Sequence, residues 1–500
     1  MNGKLLLGID NGGTAIKAVL FTAEGREVAS ASASTPMFTN NQGFTERDME
    51  QLWQTNCEVI RGALKNAGAD GADITGISFS GHGKGLYLWG KDSRPARYGI
   101  VSTDTRAHRY VERWNRDGTA GRAFERTLQS VLACQPVALL RWIRDHEPGV
   151  LDRTEWIFGV KDYVRYRMTG EAYGEITDLS GSGLVNLLTA GYDGEILKLF
   201  GLEQVWDKLP PLCNSLDVTG RVTAECAACT GLLAGTPVAA GLFDIDACAV
   251  AMDVSEREIA VIAGTWSINE YISRQPVTDR SVKMNSLYCL PGYYLCEESS
   301  PTSASNLEWF LQQFFEGTSG ERLYGLANQL VGELMPDDVQ TVFLPYLYGG
   351  ADDAGARAAF VGMDGSCTRA HLVRAVYEGV VFGHRMHIAR LLKNCKDIRA
   401  LRLAGGVVNS PLWVQMFADV MQMPVETIAV KELGALGAAM AAAVASGMYP
   451  NLKLAAAAMV EPGQTYLPNL DFKHSYDQKY RGFERIARVL APCWPFFHDE

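Results

Sequence analysis

The feature that most constrains this chain is a hairpin that occurs twice. Near the start, Leu5–Asp10 reads as a short apolar strand, Asn11-Gly12-Gly13-Thr14 as a turn, and Ile16–Phe21 as a second strand with alternating faces. Glu24-Gly25 turns the chain into a third strand, Glu27–Ala33. A helix over Glu50–Ala67 follows, with Leu52, Trp53, Val59, Ile60, Ala63 and Leu64 on one broad apolar side, and then a buried strand, Ile74–Ser80. Halfway along, Ile259–Ala263, Gly264-Thr265 and Ser267–Ile272 open in the same way. Strands at Thr341–Leu344 and Leu401–Ala404 and a helix over Pro411–Gln422 come after it. Two halves with one opening predict a duplicated α/β fold. The polar stretch Met252–Glu256 sets the boundary, giving domains 1–252 and 253–500 joined by a tight hinge.

Five hundred residues exceed one ordinary core, which fits two domains of about 250 residues. Lysine and arginine total 46 against 57 acidic residues, a formal charge of −11. That balance argues against a general nucleic-acid binder but leaves room for a local basic pocket. No basic-plus-apolar leader is visible after Met1, and no apolar run reaches about 18 residues, so the expectation is a cytoplasmic protein off the membrane. The small apolar run Ala435 to Ala445 reads as a buried helix. Eleven scattered cysteines suit a reduced compartment, and Cys226-x-x-Cys229 reads as packing within a short helical segment, Thr223–Gly231.

The turn Gly12-Gly13-Thr14 leaves backbone N–H groups open to a phosphate, and Asp10 before it can hold hydrated magnesium; alone, the segment also fits an ordinary hairpin. The second turn, Gly264-Thr265, makes an ATP clamp between two related halves the better reading. Gly405-Gly406, between a strand and a helix, suits an adenosine, with Asn409 to hydrogen-bond it. No G-x-x-x-x-G-K-[ST] occurs, and Gly81-x-Gly83-x-Gly85 lacks the dinucleotide spacing. In Gly241-Leu242-Phe243-Asp244-Ile245-Asp246-Ala247 a carboxylate follows the strand Pro237–Ala240 and precedes a helix, Ala247–Met252. Asp244 is assigned as the base that accepts the proton of an attacking hydroxyl, and Asp246 as the helix cap.

These segments resemble the FGGY carbohydrate kinases of the actin-like superfamily. Gly8–Lys17, Gly241–Ala247, Gly405–Asp419 and Glu432–Ala439 carry the likeness, over about Leu6 to Tyr480. Ala358-x-Phe360-x-Gly362-Met363 and His371-Leu372-x-x-Ala375-Val376-Tyr377-Glu378 match the family's C-terminal signature. The N-terminal one, Pro136–Ile143, departs at Leu139, where lysine is usual. The resemblance implies an actin-like (ribonuclease H-like) fold with ATP in the interdomain cleft and Mg2+ beside it. It makes Asp10 the metal-proximal aspartate, with Asp244 as base near the same ion. It puts Gly12, Gly13 and Thr14 at one phosphate loop, Gly264 and Thr265 at the other, and Gly349, Gly405, Gly406 and Asn409 at the nucleotide. A homodimer follows from family habit.

Sugar choice is expected in Ser80-Gly81-His82-Gly83-Lys84-Gly85 and Ser102-Thr103-Asp104-Thr105-Arg106. Xylulose kinases commonly read S-G-Q-M-H-G and W-N-D-x-R there, so His82, Gly83, Lys84 and Ser102 are exchanges that alter the sugar accepted. His82, Lys84, Asp104 and Arg106 supply donors and acceptors for hydroxyls, though Lys84 also fits a solvated side chain and Arg106 a structural bridge to Asp104. Together with Ser300–Trp309, the pattern looks closest to the bacterial L-xylulose kinase branch. D-xylulose, L-ribulose and a tetritol remain alternatives, as do a non-catalytic sugar and ATP sensor and a filament-forming ATPase. His384-x-x-His387 is read as helical rather than metal-binding, with Glu378 and Arg385 exposed nearby.

Overall fold

In the computed structural model, residues 4–315, 320–350, 352–353, 355–428 and 430–497 are described. Two mixed sheets dominate it, and both follow one plan. In the first, the strands run Glu27–Ser34, Ala15–Phe21, Leu5–Asn11, Ile74–Gly81, Pro237–Ala239 and Val218–Arg221 from edge to edge. The second places Tyr294–Ser300, Ser267–Ser273, Glu258–Ala263, Ala400–Ala404, Val425–Ile428 and Pro462–Tyr466 in the same order. In each, an antiparallel hairpin leads to two parallel neighbours and an antiparallel edge. The first sheet adds Leu242–Phe243 beside Ile74–Gly81, and the second adds Met284–Leu287 beside Tyr294–Ser300.

Central strands here are buried on both faces, so their apolar runs are almost unbroken: Leu5, Leu6, Leu7 and Ile9 are all buried. The edge strand Glu27–Ser34 alternates exposed and half-buried residues. The first helix, Met49–Ala67, starts at Asp48, whose carboxylate accepts from the Glu50 and Gln51 amides, and ends at Gly68 with φ 62°.

The small-residue run of the second half forms the helix Leu433–Ala445, which crosses back onto the first sheet. Its composition is dictated by close approach. A Cβ on Gly8 would lie 2.0 Å from the Ala435 carbonyl oxygen, and one on Gly437 would lie 2.0 Å from that of Ala247. Strand, helix and the Asp244–Ala251 helix therefore meet backbone to backbone, which larger side chains would prevent.

Three local expectations change. The helix expected over Ala247–Met252 starts at Asp244, because Leu242–Phe243 pairs with Ser80 and Gly81 and Phe243 takes the extended position before the first turn. Asp246 is then inside that turn and buried, not capping it. Glu378 is also buried rather than exposed, bonded to Arg374 at 2.9 Å and paired with Lys479. Cys226 and Cys229 lie in the helix Ala224–Thr230, Cys226 buried and Cys229 against Cys57, and among the described residues every cysteine is free.

Candidate active site

Asp10 and Asp244 stand at the ends of strands that flank Ile74–Gly81. Asp244 is presented by a short, crowded elbow. Gly241 has φ 99°, where a Cβ would meet the Phe79 carbonyl at 2.7 Å. The Phe243 amide donates to Thr177 Oγ1 at 2.9 Å, and Asp244 Oδ1 accepts from the Ile245 amide at 2.8 Å. Burial, with the negative charge of Asp10 next, pushes the Asp244 carboxyl up to about 8, while Lys84 pulls against them. Asp10 is also raised by burial, opposed by Lys17, whose ammonium pairs with Glu432 at 2.6 Å. Neither aspartate has an ion-pair partner within 4 Å among the described residues.

Beneath the elbow lies a cluster that sequence reasoning missed. Lys161, with no exposed surface, sits 3.2 Å from each of Asp162, Glu175 and Asp178, and Arg165 reaches Asp162 at 2.7 Å. Thr177 Oγ1 donates to Glu175 at 2.8 Å, tying this cluster to the Phe243 amide. Asp178 is pushed by burial to about 7, and its charge adds to the pressure on Asp244. The signal was available: Lys161, Asp162 and Arg165 occupy one helix, Val160–Thr169, that is buried over most of its length.

The predicted sugar stretch lines up beside Phe243 and Asp244. A Cβ on Gly83 would touch the Phe243 ring at 2.4 Å, Lys84 is held at φ 64°, and Gly85 at φ 69° packs on the Ile100 carbonyl. Lys84 Nζ is 5.9 Å from the Phe243 ring centroid. His82 is buried, with Nε2 3.3 Å from the Tyr87 hydroxyl. Asp104 and Arg106 behave differently. Arg106 donates through Nε and Nη2 to Asp104, reaches Glu46 at 2.8 Å, and lies 4.0 Å and 5.0 Å from the Phe44 and Trp142 ring centroids. Asp104 also accepts from the Thr45 amide at 2.7 Å. Their side chains are wholly enclosed, so the pair fixes the Thr45–Arg47 strand rather than presenting groups to the cleft. That strand carries a second missed residue: Arg47, which donates to the Gly13 carbonyl of the first turn at 2.5 Å.

The second turn is built without charge. Gly264 is half-buried and Thr265 exposed, and Ser305 donates to the Thr265 carbonyl at 3.1 Å. Ser267, the next strand's first residue, lies 3.1 Å from His384 Nδ1, which also faces Asn269 Oδ1 at 2.7 Å; Ser303 is 2.8 Å from Nε2. Burial pushes His384 down to about 3, so the imidazole stays neutral. His387 binds Glu298 and Ser300, both at 3.1 Å. Both histidines are thus consumed by structural hydrogen bonds. Gly405, at φ 97°, presses on the Ala263 carbonyl, where a Cβ would stand 2.4 Å away, so it keeps the two strand ends together. Gly406 and Asn409 beside it are exposed, and Gly349 has φ 101°.

Two carboxylates facing each other without ion-pair partners are a donor set that suits a hydrated magnesium ion completed by phosphate oxygens. Among the described residues no group of three or more His, Cys, Asp or Glu gathers into a metal site.

The description "FGGY family of carbohydrate kinases" matches the chain in two parts, its N-terminal domain over residues 5–251 and its C-terminal domain over 259–446. The L-xylulose/3-keto-L-gulonate kinase of Escherichia coli is 36% identical, covering 97% of both chains. A probable L-xylulose kinase of Pasteurella multocida is 34% identical over 97% of this chain and 98% of its own. Among solved structures, the xylulose kinase of Rhodospirillum rubrum superposes with a TM-score of 0.88 at 27% identity, covering 99% of this chain and 100% of that one. That of Lactobacillus acidophilus gives 0.91 at 24% identity over 99% of both. The actin-like, two-domain α/β architecture expected from the sequence is the one these structures share.

Proposed function

Because the chain belongs to the FGGY family of carbohydrate kinases, we propose that it is an L-xylulose kinase, working as an ATP-dependent sugar kinase on a terminal hydroxyl of that ketopentose. The observation that carries the chemistry is Asp244, a carboxylate raised to about 8 near Asp10, the two standing at the ends of the strands that flank Ile74–Gly81. The substrate rests on relatives over 30% identical along nearly their whole length, one named an L-xylulose/3-keto-L-gulonate kinase and the other a probable L-xylulose kinase.

In this reading Asp244 orients the acceptor hydroxyl and takes its proton as the oxygen attacks the γ-phosphorus. Backbone N–H groups of Gly12, Gly13 and Thr14 on one side, and of Gly264 and Thr265 on the other, donate to the phosphate oxygens. Gly349, Gly405, Gly406 and Asn409 seat the nucleoside, and His82, Gly83 and Lys84 face the sugar. Asp104 and Arg106 serve the sugar indirectly, by holding the strand that carries Arg47. Magnesium would be held by Asp10 and Asp244 and would supply neutralisation of phosphate charge. The domains, divided near residue 252, close over the acceptor and exclude water that would otherwise hydrolyse ATP. A cytoplasmic location and a homodimer complete the proposal. No helix among the described residues is long and apolar enough to cross a membrane.

A coupled ADP-release assay against L-xylulose, D-xylulose, L-ribulose, erythritol and glycerol tests it. Preferred turnover of L-xylulose is expected; preference for another acceptor would move the substrate, and bound ATP with no product would favour a sensor.

A further inference from the structure

Three of the eleven cysteines gather on the face of the first sheet that turns away from the Leu433–Ala445 helix. Leu5, Leu7 and Ile9 of the central strand share that core with the Met49–Ala67 helix, whereas Leu6 packs with Leu433–Ala445. Cys57 comes from Met49–Ala67, and Cys226 and Cys229 from the short helix Ala224–Thr230. Although 172 positions separate Cys57 from Cys229, their sulfurs stand 3.2 Å apart. Arg61, one turn beyond Cys57, donates to the Cys229 carbonyl and fixes the two helices against each other.

The three thiols are not equivalent. Cys57 is 4% exposed, and burial pushes its thiol up. Cys226, also buried, turns its sulfur toward the Thr230 hydroxyl at 3.8 Å and is the second sulfur beside Cys229. Cys229 is half-buried, its Sγ donating to the Cys226 carbonyl at 3.3 Å. The thiol open to a reagent is therefore Cys229, and the sulfur held against it is Cys57. An accessible thiol with a second one poised next to it is the arrangement in which an oxidised sulfur ends as a disulfide. Bonded sulfurs lie about 2.05 Å apart, so closure asks for about 1 Å of movement between the two helices.

The residue before Cys57 connects this pair to the first turn. Asn56, with no exposed surface, donates through Nδ2 to Asn11 Oδ1 at 3.0 Å and to the Leu52 carbonyl at 2.9 Å. Asn11 opens the turn, and its own carbonyl accepts from the His82 amide at 3.1 Å. A shift of the helix at Cys57 is thus felt at Asn11 through one buried side chain. We propose that Cys57 and Cys229 form an oxidation site, at which a hydroperoxide produces a reversible disulfide that moves Asn56 against Asn11 and weakens the first turn's hold on phosphate. The bridge goes beyond the kinase reading and does not depend on it; its effect on ATP rests on that reading. In the chemistry, the Cys229 sulfur takes one oxygen from the peroxide, giving a sulfenic acid and an alcohol or water. The Cys57 sulfur then displaces that oxygen, which leaves as water with the Cys57 proton. Two electrons pass from the sulfurs to the peroxide, and a dithiol returns them, as suits a transient bridge in a reduced compartment.

The test treats the full chain with hydrogen peroxide, digests it without reduction and maps the peptides by mass spectrometry. A Cys57–Cys229 cross-link is expected. Dithiothreitol should remove it, Cys229→Ser should lack it, and Cys226→Ser should keep it. The oxidised protein should melt about 5 °C higher, because the bridge restricts a long stretch of the unfolded chain. Its KM for ATP should rise about 5-fold while KM for the sugar stays nearly constant. Cys229→Ser, at a half-buried position, should keep the reduced protein's values with and without peroxide. No cross-link at these residues, or one that joins Cys226 to Cys229, overturns the inference. A Cys57–Cys229 bridge that leaves KM for ATP where it was also overturns it, since the turn would then be indifferent to the helix. If the reduced protein turns over no acceptor, the kinase reading fails by itself, and calorimetry with ATP takes the place of KM: weaker binding after oxidation supports the site, and unchanged binding overturns it.

Discussion

The two sheets share one strand order, but their turns are supported by opposite kinds of chemistry. Around the first turn and its neighbouring elbow stand Asp10, Asp244, Lys84, Arg47 and the buried cluster on Lys161. Around the second, Ser267, Asn269, Ser303 and neutral His384 hold the backbone through uncharged hydrogen bonds. A duplicated backbone thus fixes where loops stand without fixing what they are made of. The first turn gathers groups whose charge depends on pH and ligands; the second turn needs only a loop held in place. Activity should therefore respond to substitution and pH very differently around the two turns.

The largest effect is expected at Asp244. Asp244→Asn should lower kcat by about 10³-fold while sparing ATP binding, measured by ADP release and calorimetry. In the unaltered enzyme the acidic limb of kcat/KM should fall away below about pH 8, since the base must be unprotonated to act. The same group has a stability signature. Its carboxyl holds a proton in the folded chain up to about 8, against an ordinary 3.8, so its contribution is fully present below that ordinary value and is lost as pH rises to about 8. Asp244→Asn should consequently melt about 2 °C higher than the unaltered protein at pH 8.5, with little difference at pH 4. A variant that keeps normal turnover would remove Asp244 from its role.

Next comes Lys161→Met, which leaves Glu175 and Asp178 without their cation and Asp162 with Arg165 alone. It should cost about 3–5 kcal/mol in urea unfolding, because removing one partner of a buried charged network strands the others. A loss under about 1 kcal/mol would mean that Asp162, Glu175 and Asp178 simply take up protons, and the first lobe would be less charged than its geometry implies.

How far this contrast was legible in the sequence follows from what each part depends on. The paired hairpins were readable because strand, glycine turn and strand are local, with Asp10, Gly12–Thr14 and Gly264–Thr265 inside them, and Asp244 was picked out from its own strand-to-helix segment, Gly241–Ala247. The small-residue helix was readable as buried, but not that it would return to the first sheet, since a run of alanines does not say which surface it covers. Asp246 was misplaced by a local rule: the cap was assigned from residue type, while pairing of Leu242–Phe243 with Ser80–Gly81 moved the helix start to Asp244. Arg47 and the Lys161 cluster were missed because their meaning lies in partners more than ten residues away, or in the lack of them.

A smaller effect is expected from the uncharged lobe. His384→Ala leaves Ser267, Ser303 and Asn269 without their shared partner and should cost about 2 kcal/mol of stability. KM for ATP should rise more than KM for the sugar, because Ser267 adjoins the Gly264–Thr265 turn. With the imidazole neutral down to about 3, the unaltered network should stay indifferent to pH between 5 and 9. A pH-dependent KM for ATP that disappears in this variant would break the contrast between the lobes.

The smallest effect sharpens the comparison most, because it separates two buried cations of the same lobe. Lys161 and Arg47 are equally hidden, but one is matched by three carboxylates and the other by none. If Arg47 is kept for a ligand, the ligand-free fold bears its desolvation without recompense. Arg47→Gln should then shift the urea midpoint only slightly, within about 1 kcal/mol and toward greater stability, against the large loss at Lys161. A loss at Arg47 as large as that at Lys161 would make its bond to Gly13 the reason it is there.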